Sequence, residues 1–205
     1  MKYFASLVLL ILVSSIGALA QDPFFRAGLS AGANFSQVDG DHLGGYNKVG
    51  IFGGFTLRHR FNERWHGQME INYSQKGSNN PLDPEDPSPQ IFTLAFHYLE
   101  LPLLAIYELE SLDLLFGYGI GNNVSAKRDE GFGFVDADIK SWEHSLHFGG
   151  TYWFTDRFSA GIRHSYSLFR VGDDYPNRLN VFNRIGLYNR LFTLHLGYAL
   201  NPESR

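Results

Sequence analysis

Cysteine is absent from the 205 residues, which excludes disulfides, thiolate metal sites and thiol nucleophiles. Stability must come from packing and strand pairing instead. Basic residues are also scarce, with 17 Lys and Arg against 21 Asp and Glu, the reverse of the balance that a nucleic-acid partner selects. The eight histidines are scattered and show no His-Glu-x-x-His or comparable spacing, so neither a metal nor another cofactor is expected. No stretch resembling a Pro/Gly/Ser linker divides the chain, and one domain is the expectation.

Residues 1–20 have the pattern of an export signal. Lys2 precedes the apolar run Phe4 to Val13, and small residues lead to Ala18-Leu19-Ala20. The run is too short for a spanning helix. Cleavage after Ala20 would put Gln21 first, and without a cysteine there the usual lipoprotein anchor is excluded. Loss of Lys2 leaves 16 basic against 21 acidic side chains, a net charge of about −5, on a single domain spanning residues 21–205.

What the chain does have is 22 Gly, 18 Phe and 11 Tyr, a composition suited to strands, tight turns and membrane interfaces. Trp65 to Ser74 alternates large apolar residues at odd positions with polar ones at even positions, the period of a strand with one greasy and one wet face. Eight such strands are expected, at 26–36, 47–60, 65–77, 97–108, 112–123, 139–154, 158–170 and 185–200. Outward stripes are Ala27, Leu29, Ala31, Ala33 and Phe35; Val49, Ile51, Phe55 and Leu57; Leu112, Leu114, Phe116, Tyr118 and Ile120; and Phe192, Leu194, Leu196 and Tyr198. Opposite them, Asn34, Lys48, Arg58, Glu70, Asn72, Glu100 and Arg163 would fill a polar interior.

The connections alternate short and long. Phe61 to Arg64, Glu108 to Ser111 and Thr155 to Arg157 are tight turns, whereas 37–46, 78–96, 124–138 and 171–184 are long loops. Outer-membrane barrels have this asymmetry, with short periplasmic turns and longer external loops. The fold class that follows is all-β: an eight-stranded antiparallel up-and-down transmembrane β-barrel in the outer membrane, with lipid around it and both termini on the periplasmic side.

Segment 91–107 breaks the pattern. Phe92, Leu94, Phe96 and Tyr98 are even, whereas Leu99, Leu101, Leu103 and Tyr107 are odd. Either a bulge near Tyr98-Leu99 reverses the facing, or residues 91–96 belong to an external hairpin and the membrane part starts near His97. Pro102 is awkward as well, since proline supplies no ladder donor and a closed barrel has no free edge.

The chain resembles the PorT-like outer-membrane β-barrel proteins of Bacteroidota, a porin-family group. The resemblance rests on Gly28 to Ser36, Gly45 to Gly50, Glu70 to Ser78, and Tyr98-Leu99-Glu100-Leu101-Pro102-Leu103, and it covers essentially the whole chain after the signal. It implies an eight-stranded outer-membrane barrel, makes Pro102 a family feature, and brings no assigned activity. The C-terminus departs from the terminal aromatic of many outer-membrane proteins, because Tyr198 is followed by seven further residues.

Eight-stranded barrels include lipid A acyl-modifying enzymes, and two groupings in this chain carry residue types used in such chemistry. Glu143, Ser145 and His147 share a strand face, as acyl transfer would need. Same-face neighbours on one strand, however, stand roughly 7 Å apart at Cβ, and do not ordinarily form all the required hydrogen bonds. His164 and Ser165 face opposite sides. No catalytic residue is therefore assigned, and the polar interior is read as a structural network of Lys48, Arg58, Glu70, Glu100 and Arg163, whose Glu100→Ala variant should be less stable. Asp39, Asp41, Asp83, Glu85, Asp86, Asp129, Glu130, Asp136, Asp138, Asp173 and Asp174 give the long loops an acidic, solvated rim. Neither Asp39-Gly40-Asp41 nor Asp83 to Asp86 follows a full calcium-loop pattern.

The expected function is non-enzymatic: structure, envelope maintenance, or capture of an extracellular or periplasmic protein partner through the loops. A lipid A-modifying enzyme and a soluble lipocalin-like periplasmic barrel with inward apolar stripes are the alternatives. A general porin is not expected, since water-filled channels usually need about sixteen strands.

Overall fold

The computed structural model describes residues 25–41, 43–80, 92–172 and 186–201. The signal segment and the loop acids Asp83, Glu85, Asp86, Asp173 and Asp174 lie outside the described residues. The strands are β1 (Phe25–Asp39), β2 (Lys48–Arg60), β3 (Trp65–Asn79), β4 (Thr93–Leu109), β5 (Leu112–Asp129), the two-residue β6 (Val135–Asp136), β7 (Trp142–Trp153), β8 (Phe158–Ser167) and β9 (Tyr188–Ala199). Setting β6 aside, eight strands pair antiparallel in sequence order, and β1 closes on β9. Closure removes the free edges that an open sheet exposes. β6 pairs with the upper end of β5 at Lys127 and Arg128, on the edge that β7 occupies lower down.

Alternation sets the two surfaces. Val49, Ile51 and Phe55 are more than half exposed on the outer wall, while Phe52 and Arg58 between and below them are buried. The expected stripes of β5 and β9 likewise face out: Leu114, Phe116, Leu194 and Leu196 are all exposed. Ala27 is buried despite its outward parity, because the chain end folds over it. Its N–H donates to Asn201 Oδ1 (2.7 Å), and its carbonyl accepts from Leu200 N (2.9 Å).

The three tight turns each have a local cause. Asn62 Oδ1 accepts from Arg64 N (3.0 Å) and Trp65 N (2.9 Å), and Thr155 Oγ1 does the same for Arg157 N (3.2 Å) and Phe158 N (3.0 Å). Such side-chain oxygens replace main-chain acceptors that a reversing chain lacks. Between β4 and β5 only Glu110 and Ser111 remain, and Glu110 takes φ of 46° to complete the reversal.

The β4 region corrects the bulge reading of segment 91–107. β4 runs unbroken from Thr93, and its even residues Leu94, Phe96, Tyr98, Glu100, Leu104 and Ile106 all point inward. The register shift falls between His97 and Tyr98 but resides in β5, where Val124 has no opposite number. The bulge therefore reverses facing in β5, turning Ala126 inward, and leaves β4 unchanged. Pro102 faces in, opposite Gly119; on its β3 side the pairing lapses opposite Leu101 and Pro102 and resumes at Glu100.

At the long-loop end the inward residues become apolar. Val38, Leu94, Phe96, Tyr98, Val171 and Leu187 form a buried cluster, with Phe92, Ala126, Ala137 and Ile139 packed against it. Main-chain bonds from Lys140 N to Val171 O (2.7 Å) and from Val171 N to Leu187 O (2.7 Å) hold the loop segments over the mouth.

Candidate functional site

The bore below this cap is filled with charge in three tiers. Nearest the short turns, Arg58 Nη1 stands 2.7 Å from Asp113 Oδ2. Arg58 Nε donates to Gln68 Oε1 (3.0 Å), and Trp153 Nε1 donates to Asp113 Oδ2 (2.8 Å). The Arg26 guanidinium lies over the Trp153 ring, 4.0 Å from its centroid, and donates to the Asp156 carbonyl.

In the middle tier, Arg163 reaches across from β8 to Glu70 on β3 with two parallel bonds of 2.7 Å. Gln68 and Asn72 add donors to the same carboxylate at 2.5 and 2.7 Å. A fork of this kind fits both carboxylate oxygens and is stronger than a neutral bond. In the upper tier, Lys76 Nζ lies between Glu100 (2.5 Å) and Glu143 (2.8 Å). It also sits 4.4 Å from the Tyr98 ring centroid, so the apolar cap begins directly on this cation.

Of the residues assigned to the polar interior, the structure pairs Glu70 with Arg163. It gives Arg58 to Asp113 and Glu100 to Lys76. Lys48, at the start of β2, has no ion-pair partner among the described residues. Lys76, Asp113 and Glu143 complete the tiers and were not singled out for them. Their parity was visible: Lys76 shares the even face of β3 with Glu70 and Asn72, and Asp113 lies on the odd face of β5, opposite the apolar even stripe.

The grouping of Glu143, Ser145 and His147 does not form an acyl-transfer site. Ser145 Oγ does lie 2.9 Å from His147 Nε2, closer than strand spacing suggested, and Ser165 Oγ lies 2.9 Å from Nδ1. Gly119 on the facing strand makes the room, since a Cβ there would stand 2.5 Å from Nε2. Glu143, however, is held by Lys76 and by Ser167 Oγ (2.5 Å) instead of orienting the imidazole. All three residues are buried in the filled bore, so a lipid substrate has no approach to the hydroxyl. His164 faces out and Ser165 in, as their parity requires.

The outer wall carries aromatic rings at both ends. Trp65 with Tyr107 (5.0 Å), Tyr152 with Phe154 (5.3 Å) and Phe158 with Tyr198 (5.1 Å) ring the short-turn end. Towards the long loops, tyrosines pair with histidines: Tyr73 Oη lies 2.6 Å from His97 Nδ1, and Tyr118 is bonded to His144. An apolar band between two such girdles is the exterior of a protein seated in a bilayer.

A family model described as outer membrane protein beta-barrel domain matches residues 19–172. The chain belongs to that family. It is an outer-membrane protein, its apolar wall in lipid, its short turns periplasmic and its long loops external. Among solved structures it is similar to Ail, the attachment invasion locus protein of Yersinia pestis, with a TM-score of 0.52 at 16% identity, covering 85% of this chain and 98% of Ail. The complex of Ail with the heparin analogue sucrose octasulfate gives 0.51 at 17% identity, covering 86% and 99%. At such identities the likeness concerns the fold. No curated protein matches the sequence significantly. Membership of the family removes the soluble lipocalin-like alternative, since the exposed stripes face lipid and the bore holds ion pairs.

Proposed function

We propose that this protein is a non-enzymatic, non-conducting member of the PorT-like group, exported by a signal in residues 1–20, that serves the envelope as a rigid wall element and presents its long loops to a protein partner. The observation that carries this reading is the filled bore. Three ion-pair tiers cross it, and an apolar cluster covers the external mouth. An eight-stranded interior is just wide enough for side chains to occupy it completely. The PorT-like assignment rests on the Tyr98 to Leu103 segment, and the partner-binding role on the general use of scaffolded loops for recognition.

The test uses the purified barrel in planar bilayers, together with mass analysis of lipid A from cells with and without the protein. Baseline conductance and an unaltered lipid A profile are expected. Steady single-channel steps would overturn the non-conducting reading, and a changed acyl pattern would restore the enzyme.

A further inference from the structure

Between the lower and middle tiers lies a cavity of about 50 Å³, lined by Arg26, Arg58, Arg163, Glu70, His195 and Ser30 among others. It exists because the β1, β2 and β9 side of the bore is built from small residues there, with Gly28, Thr56 and Gly197 also on its wall. Among the buried polar atoms of these lining residues that lack a hydrogen-bond partner are Arg163 Nε, His195 Nδ1 and Ser30 Oγ. Arg163 and His195 are each more than nine-tenths buried. Orphaned donors of this kind are rare in folded proteins, and each is costly unless something accepts from it.

Two features determine what would accept. The Thr151 hydroxyl lies 3.5 Å from His195 Nε2; in the tautomer where it donates there, the ring proton is on Nδ1 and His195 presents a donor to the cavity. The lining also carries three guanidinium groups and the single carboxylate of Glu70, with Asp113 turned to Arg58 and Trp153. Donors from several directions in a positive, low-dielectric pocket favour a negatively charged acceptor over neutral water. The volume holds roughly three to five water-sized positions, which suits a halide with its residual waters and excludes a lipid headgroup.

We infer that this cavity is a small-anion site, reached from the periplasmic mouth, in which a halide or similarly small monovalent anion accepts from Arg163 Nε, His195 Nδ1 and Ser30 Oγ. The anion ties β1, β8 and β9 together where the wall is thinnest in side chains. It is a structural ligand of the barrel base, independent of what the external loops bind.

The test compares unfolding midpoints of the full barrel in detergent micelles with chloride or bromide against gluconate at matched ionic strength. A saturable rise of about 3 °C with halide is expected. Ser30→Ala should reduce the halide-specific part, whereas Ser30→Asp should abolish it and raise the midpoint in gluconate, by supplying a tethered anion. Bromide diffraction should place an anomalous peak in contact with Arg163 Nε and His195 Nδ1. Equal midpoints in halide and gluconate, or ordered waters alone at the three atoms in bromide crystals, would overturn the proposal. If Ser30→Asp does not fold, Ser30→Ala and the bromide data decide between the same two outcomes.

Discussion

The membrane-level bore and the external cap are built on the same strands but dressed in opposite ways. At membrane level the outer wall is apolar and the interior holds Glu70, Arg163, Asn72 and Lys76; above it, the interior holds Val38, Leu94, Phe96 and Leu187. The difference follows from the solvent outside. In lipid the outer face takes the apolar residues, leaving polar ones to satisfy each other within a closed sheet. Where the strands rise into water, burial of apolar surface again favours a greasy interior. β4 crosses from one regime to the other, its even residues passing from Glu100 to Phe96 without any change of facing, while lower down Leu104 and Ile106 pack with Leu115 as an apolar patch inside the bore.

Breaking the bore should have the largest effect. Arg163→Ala or Glu70→Ala leaves the other charge buried without its partner, and each should cost about 3–5 kcal/mol in urea unfolding from lipid vesicles. The double variant Glu70→Leu/Arg163→Met should recover most of that loss. If either single change costs no more than the double, the tier is not held by pairing. Phe96→Ala attacks the cap instead, and a cavity of that size should cost about 3 kcal/mol. Its mark should be faster protease cutting at the external loops, with the fast-migrating unboiled band on gels retained. Loss of that band would show that cap and bore unfold as one unit.

Glu100→Ala, at the junction of the two regions, should cost less, about 1–3 kcal/mol, because Lys76 keeps Glu143. An unchanged midpoint would remove Glu100 from the network. The smallest effect is expected at Asp41, in the first long loop, whose carboxyl is pushed up chiefly by burial, opposed by hydrogen bonds to Ser78 and to Leu43 N. A carboxyl raised on folding binds its proton more tightly in the native state, so native stability is highest below the ordinary carboxylate range and falls as pH rises through it. Asp41→Asn should therefore be neutral at low pH and stabilising by less than about 1 kcal/mol at pH 7. A variant less stable than the parent at pH 7 would contradict that sign.

Much of the barrel could be read directly from residues. The outward stripes of β2, β5 and β9, the tight turns at Asn62 and Thr155, and the inward parity of Arg58, Glu70, Glu100 and Arg163 all followed from period-2 alternation and turn chemistry. The bulge was sensed at the right level but assigned to the wrong strand. A parity conflict in β4 invites a bulge in β4, whereas the actual register shift is absorbed by Val124 on its neighbour. Leu94 and Phe96 raised that conflict because alternation separates two faces without saying which solvent either face meets.

The residues alone therefore determined a chain of two-faced strands with an asymmetric set of connections, because those properties reside in local spacing and composition. Which charges meet was decided only on closure. Arg163 finds Glu70 ninety-three positions away, and Lys76 falls between Glu100 and Glu143, because the stagger of eight tilted strands sets which inward side chains share a level. That stagger belongs to the whole ring, and no single strand encodes it.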